Sequence, residues 1–284
     1  MTKPNLFIVG APRCGTRSLY TYLKGHPDIF MPAQKELFFF DSDLREKKLT
    51  MEEYLGNFSE VIDQKIIGEA TASYLRSRCA AQGIKAFNPT AQIIVMFRNP
   101  VDVMHSLHSL ALHGTEPITD LAAALEADAV RTGREKIGYR EFTDFPEQLQ
   151  RYFDHFGREN VHVIIYDDIK ADAANVGRNT LRFLGVREEP NLKFSRENSN
   201  RKVHIPQVER LLCHPPPSLL RLSALIPQKT RWRISGRLSR LNSDIRPREP
   251  LDPRLRKSLQ AETAPKVDQL SRMLDRDLSG WYKE

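Results

Sequence analysis

Residues 5–25 constrain the fold more than any other stretch of the chain. Asn5–Val9 (NLFIV) is a short apolar run ending at Gly10. After a turn containing Gly15, Thr16–Lys24 carries apolar residues at Leu19, Tyr20, Tyr22 and Leu23, and Gly25 stops it. A run without polar alternation suits a strand covered on both faces, as in a parallel sheet. Strand, tight loop and helix in that order open an α/β fold. Further strands are predicted at Lys65–Ile67, Ala91–Arg98 and Val161–Tyr166, with helices at Pro100–Leu112, Phe145–Phe156 and Asp172–Leu184 between or after them. The alternation predicts a parallel central sheet flanked by helices.

The loop inside this unit reads Gly10-Ala-Pro-Arg-Cys-Gly-Thr-Arg-Ser-Leu19. Backbone N–H groups and the positive end of a helix favour an anion at such a turn. Gly10 and Gly15 let the backbone approach it, Thr16 and Ser18 add hydroxyls, and Arg13 and Arg17 add charge. The nucleotide triphosphatase loop G-x-x-x-x-G-K-[ST] is close but different, because Thr16 stands where that loop has its lysine. No acidic metal holder follows the later strand, which ends at Arg98. Arg98-Asn-Pro marks a strand end and a helix start, with Ser106 about two turns further on, so an arginine fork and a hydroxyl can converge on a second phosphate.

Beyond residue 190 the pattern changes. The stretch is rich in Pro, Arg, Asn and Ser, contains Pro215-Pro216-Pro217, shows little strand pattern, and ends in a helix over Pro253–Leu274. The chain is therefore read as one domain over 1–284, with a core over about 1–189 and a mostly helical or irregular extension over about 190–284. Its net charge is +7, from 43 basic and 36 acidic residues, and 229–256 is strongly cationic. That balance favours anionic partners without choosing among them. The aromatics do not interleave with the basic run as a nucleic-acid groove requires, so no nucleic-acid partner is expected. Three cysteines without metal spacing point to a reducing compartment, and no run reaches the roughly 20 apolar residues of a membrane span. The expectation is a cytoplasmic protein; the sequence is silent on oligomeric state. His105 and His108 are three apart with no third ligand, and read as packing or surface residues.

Taken together these motifs resemble the sulfotransferases that use 3′-phosphoadenosine 5′-phosphosulfate (PAPS), particularly the branch of heparan sulfate sulfotransferases and bacterial relatives. The loop resembles that family's 5′-phosphosulfate loop, with Arg13 where lysine is usual. His26-Pro-Asp28, Lys35-Glu-Leu-Phe-Phe-Phe-Asp41, Gly68-Glu-Ala-Thr-Ala-Ser-Tyr74, Arg98-Asn-Pro with Ser106, and Asn198-Ser-Asn-Arg-Lys-Val-His204 follow in the family's order. The resemblance implies a P-loop-like sulfotransferase fold and donor contacts from Arg13, Cys14, Gly15, Thr16, Arg17, Ser18, Arg98, Ser106, Asn200, Arg201 and Lys202. It also implies Glu36 as general base, a hydroxyl or amine acceptor such as a glycan or small natural product, and no metal. Where heparan-type enzymes have a lysine after the strand-end glutamate, this chain has Ala70; Lys35 is assigned that cationic role. The competing readings are a magnesium-dependent nucleotide kinase or triphosphatase, and a non-enzymatic polyanion-binding protein.

Overall fold

The computed structural model describes residues 2–46, 49–189, 192, 194, 201–203, 243–245 and 248–283. Five strands form one parallel sheet: β1 (Leu6–Gly10), β2 (Ile29–Phe30), β3 (Ile66–Ala70), β4 (Gln92–Phe97) and β5 (Val161–Ile165), in the order β2-β3-β1-β4-β5. Every residue of β1 and β3 is buried, which is why the apolar run of β1 does not alternate. The order reverses direction around β1, and open α/β sheets bind ligands beyond the carboxyl ends of strands at such a point.

Helix α1 (Thr16–Lys24) has the predicted bounds. Three further helices were not expected. Two of them nevertheless have start signals: α2 (Met51–Gly56) has a full capping box from Thr50 and Glu53, and α5 (Leu121–Val130) is capped by Asp120 through Ala123 N. The third, α3 (Ala80–Phe87), begins after Cys79 without a side-chain cap. Helix α4 spans Pro100–Ala111, and α6 (Phe145–Phe156) buries Phe145, Leu149, Tyr152 and Phe156 along one face and stops at Gly157. Helix α7 (Tyr166–Leu184) starts six residues before the predicted bound. A kink at Asp172 divides it, and the Asp172 carboxylate caps the second part through Asn175 N at 2.9 Å. The Asp172 signal was therefore read as the start of the whole helix.

The chain divides into two compact units. The first comprises 1–103, 140–197 and 257–284, and holds the five-stranded sheet; the last helix, α8 (Pro253–Leu274), falls in it. The second comprises 104–139 and 198–256. In the second unit Glu116 accepts a two-pronged bond from Arg131 at 2.7 and 3.0 Å, and Asp128 accepts the backbone N–H groups of Ile137, Gly138 and Tyr139. His108 Nε2 lies 2.9 Å from Ile118 O, a packing role as expected. The late region is not free of strands: β6 (Arg201–Val203) pairs antiparallel with β7 (Ser243–Ile245). Arg201 and Lys202 thus belong to a two-stranded ribbon and not to a loop, a correction to the expectation. Its three-residue strands are too short for periodicity to reveal. Among the described residues no helix is long and apolar enough to cross a membrane.

Candidate active site

The first unit brings four strand ends together at one edge. After β1 the backbone turns through Gly10 (φ 155°), Arg13 (φ 65°) and Gly15 (φ 101°) into α1. At Gly15 a Cβ would lie 3.2 Å from the Tyr166 ring and 3.3 Å from Met96 Cε, so both the positive φ and the close approach call for glycine there. No side chain caps α1, and its first turn holds no acidic residue. The positive end of the helix is left to an anion.

Thr16 and Ser18 are buried in this first turn while Arg17 is exposed. The Arg13 guanidinium is held below its ordinary pKa, by burial first and then by the charge of Arg98. Folding has therefore placed two guanidiniums near one another at the ends of β1 and β4. Arg98 also lies over the Tyr166 ring at 5.0 Å and meets Asp102 at 3.1 Å. Lys170 covers the same ring at 5.3 Å. A cavity of about 320 Å³ opens beside the loop, lined by Gly15, Ser18, Tyr166, Lys170 and Phe194 among others. Burial pushes the Cys14 thiol up to about 12, against the pull of Arg98 and Arg13. Cys14 is a small packed residue of the loop and not a nucleophile.

The rim beyond β4 and β5 is tied to the end of the chain. Asn99 Nδ2 donates to Trp281 O at 2.9 Å, Trp281 Nε1 donates to Asp167 at 2.7 Å, and Arg276 grips Asp168 through two bonds of 2.6 Å. Asp167 and Asp168 are thus occupied with structure. Ser106 belongs to the second unit, where it is buried and accepts a bond from Arg248 at 3.0 Å. Asn200 lies outside the described residues, and of Arg201 and Lys202 the structure describes the backbone.

At the end of β3 stands the acidic segment. Lys35 is almost fully covered and pairs with Glu36 Oε1; its exposure is 6%, against 28% for Glu36, so Lys35 does not point to solvent. Burial lowers the Lys35 pKa, and the carboxylates of Glu36 and Glu69 oppose that shift. Glu36 N donates to Ala70 O, and Glu36 Oε2 accepts from Ala72 N at 2.9 Å. Beneath it, in β3, Glu69 is 1% exposed. Tyr54 and Thr71 donate to Glu69 at 2.6 and 2.7 Å, and the Tyr74 hydroxyl stands beside it. Burial, with some help from Glu36, raises the Glu69 carboxyl to about 7, although these hydroxyls pull it down. The predicted strand ended at Ile67, whereas β3 runs to Ala70; neighbouring hydroxyls let a glutamate sit inside the buried strand. A glutamate inside an otherwise apolar run was the signal available for Glu69.

The sulfotransferase domain model matches residues 3–204. The chain belongs to the sulfotransferase family. A crystal structure of a sulfotransferase from Alicyclobacillus acidocaldarius aligns over 100% of both chains with a TM-score of 0.75 and 27% identity. Among curated sulfotransferases, the bifunctional heparan sulfate N-deacetylase/N-sulfotransferase 1 of Caenorhabditis elegans is 23% identical over 71% of this chain and 24% of its own length. The human heparan sulfate glucosamine 3-O-sulfotransferase 6 is 37% identical over 34% of this chain and 28% of its own length. The chain thus spans about a quarter of the length of these curated sulfotransferases.

Proposed function

We propose that this chain transfers a sulfuryl group from PAPS to a hydroxyl or amine, with a glycan as the first class of acceptor to test. The observation that carries the reading is the convergence of Arg13 and Arg98 beside the uncapped start of α1. Two half-buried like charges near one another cost free energy that an anionic ligand offsets. The donor set fits a nucleotide with separate anionic groups: backbone N–H groups, hydroxyls and Arg13 for the 5′-phosphosulfate, and Arg98 for the 3′-phosphate. The cavity beside Gly15 and Tyr166 is within the ~300–1,000 Å³ range of small-ligand sites and suits the nucleoside.

When bound, PAPS supplies the sulfuryl group and leaves as adenosine 3′,5′-bisphosphate. Glu36 takes the proton of the attacking hydroxyl or amine at a carboxylate oxygen. Lys35 balances the charge of Glu36 and holds its Oε1 side. Arg13 and the start of α1 lower the barrier by holding the negative charge that grows on the leaving oxygen more tightly than the ground state. The glycan suggestion rests on the heparan sulfate enzymes among the similar proteins.

Calorimetric titration with adenosine 3′,5′-bisphosphate and with magnesium ATP separates this reading from a kinase or triphosphatase. Tight binding of ATP with none of the bisphosphate ends it. Labelled PAPS offered to a panel of glycans and small hydroxyl compounds then finds the acceptor.

A further inference from the structure

Glu36 and Phe38 have φ of 66° and 56°, in the left-handed region that disfavours a non-glycine residue. Such a backbone persists where its surroundings over-determine it. Here the surroundings are two hydroxyls. Thr71 Oγ1 accepts from Leu37 N at 3.0 Å and Phe38 N at 3.4 Å, and Tyr74 OH accepts from Phe39 N at 2.9 Å and Phe40 N at 3.3 Å. A hydroxyl has two lone pairs and one proton. With both lone pairs turned to the Leu37–Phe40 amides, each proton is left for the other side: the Thr71 proton meets Glu69 at 2.7 Å, and the Tyr74 hydroxyl stands beside the same carboxylate.

We infer that Glu69 is a positioning residue for the reaction: as a buried acceptor of the Thr71, Tyr74 and Tyr54 protons, it turns the Thr71 and Tyr74 lone pairs onto the Leu37–Phe40 amides and so sets the pose of the Glu36 carboxylate. The inference rests on the reading of Glu36 as general base. The carboxylate matters because, once ionised above about pH 7, it is acceptor-only, with about four lone-pair sites for three hydroxyl protons. Glutamine offers one oxygen and a donating amide, so one of the three hydroxyls must reverse. Glu69 touches neither donor nor acceptor in this scheme; its effect passes through the two hydroxyls and four amides to Glu36.

The test uses the full chain as the Glu69→Gln, Thr71→Val and Thr71→Ser variants. Thr71→Val keeps the shape and removes the hydroxyl, and Thr71→Ser restores it. Binding of adenosine 3′,5′-bisphosphate is measured by calorimetry. Turnover is followed as release of that bisphosphate from PAPS with water as acceptor. Amide hydrogen exchange is measured across 37–40. Glu69→Gln and Thr71→Val are expected to bind the bisphosphate within threefold of wild type, lose at least tenfold in turnover, and exchange faster at 37–40 while 6–10 stay protected. Thr71→Ser is expected to stay within threefold of wild type in all three.

Unchanged exchange at 37–40 in both disrupting variants overturns the inference, as does faster exchange with wild-type turnover. If Glu69→Gln does not fold, the Thr71 pair decides: valine behaving as serine overturns it. Failure of wild type to bind the bisphosphate instead overturns the sulfotransferase reading, and exchange at 37–40 still tests whether Glu69 holds the segment.

Discussion

The loop over 10–18 and the acidic segment over 35–41 lie in the same unit and solve opposite electrostatic problems. The loop gathers positive potential from consecutive residues: glycines, first-turn amides and Arg13. Arg98 and Lys170 come from elsewhere in the chain. The acidic segment must orient a carboxylate, and apart from Lys35 on Oε1 its supports are distant in sequence. Its amides are held by Thr71 and Tyr74, 33 to 35 residues away, and these rest on Glu69 with Tyr54. An anion site is built from backbone that every residue carries, whereas a directed carboxylate needs hydroxyls from other elements.

That contrast is broken most sharply at Glu36. Glu36→Gln is expected to bind adenosine 3′,5′-bisphosphate as wild type does while turnover falls about 10²–10⁴-fold, the range of a lost general base. Undiminished turnover by labelled-PAPS assay removes Glu36 from the role. Next in size is the pH dependence of stability arising from Glu69, which faces Tyr54, Thr71, Tyr74, Tyr152, Glu36 and Lys35. Its folded carboxyl titrates at about 7, above its ordinary value of 4.5. The protonated form is thus favoured by folding, and its stabilisation is complete below about pH 4.5 and lost as pH rises through 7. Urea unfolding should show wild type losing on the order of 3 kcal/mol relative to Glu69→Gln across that window. A difference that does not change with pH rules out a titrating Glu69.

On the loop side the expected effects are smaller and fall on binding. Arg98→Ala removes one charged partner and is expected to weaken the bisphosphate about 10–100-fold by calorimetry, against no change for adenosine 5′-phosphate. Gly15→Ala places a Cβ against the Tyr166 ring at a φ of 101°. A stability loss of about 1–2 kcal/mol with weaker bisphosphate binding is expected from thermal unfolding and titration. Smallest of all, Cys14 should stay unmodified by iodoacetamide at pH 8 in the folded protein, because burial holds its thiol at about 12; labelling seen by mass spectrometry would show the loop open.

The same contrast explains what was legible in the sequence. β1, α1, α6 and the loop between β1 and α1 announce themselves through neighbouring residues, and their bounds match within one residue. Lys35 and Glu36 were also found, with Lys35 turned inward. The rest of β3 was lost because Glu69 looks wrong for a buried strand until Tyr54, Thr71 and Tyr74 are seen around it. Helix α2 had a legible capping box, but its six residues bury Tyr54 alone and leave no periodic stripe. Arg98 over the Tyr166 ring is invisible in sequence, because it comes from the end of β4, whereas Lys170 lies four residues along α7 from Tyr166.

The tie between Asn99 and Trp281 spans 182 positions of chain. Contacts of such long sequence separation form late, since most of the polypeptide must already be placed before they reward the loss of freedom. A refolding molecule would therefore complete its sheet first and the rim beyond β4 and β5 last. The ability to hold a ligand reports on whether the tail has docked, a later event than the recovery of secondary structure.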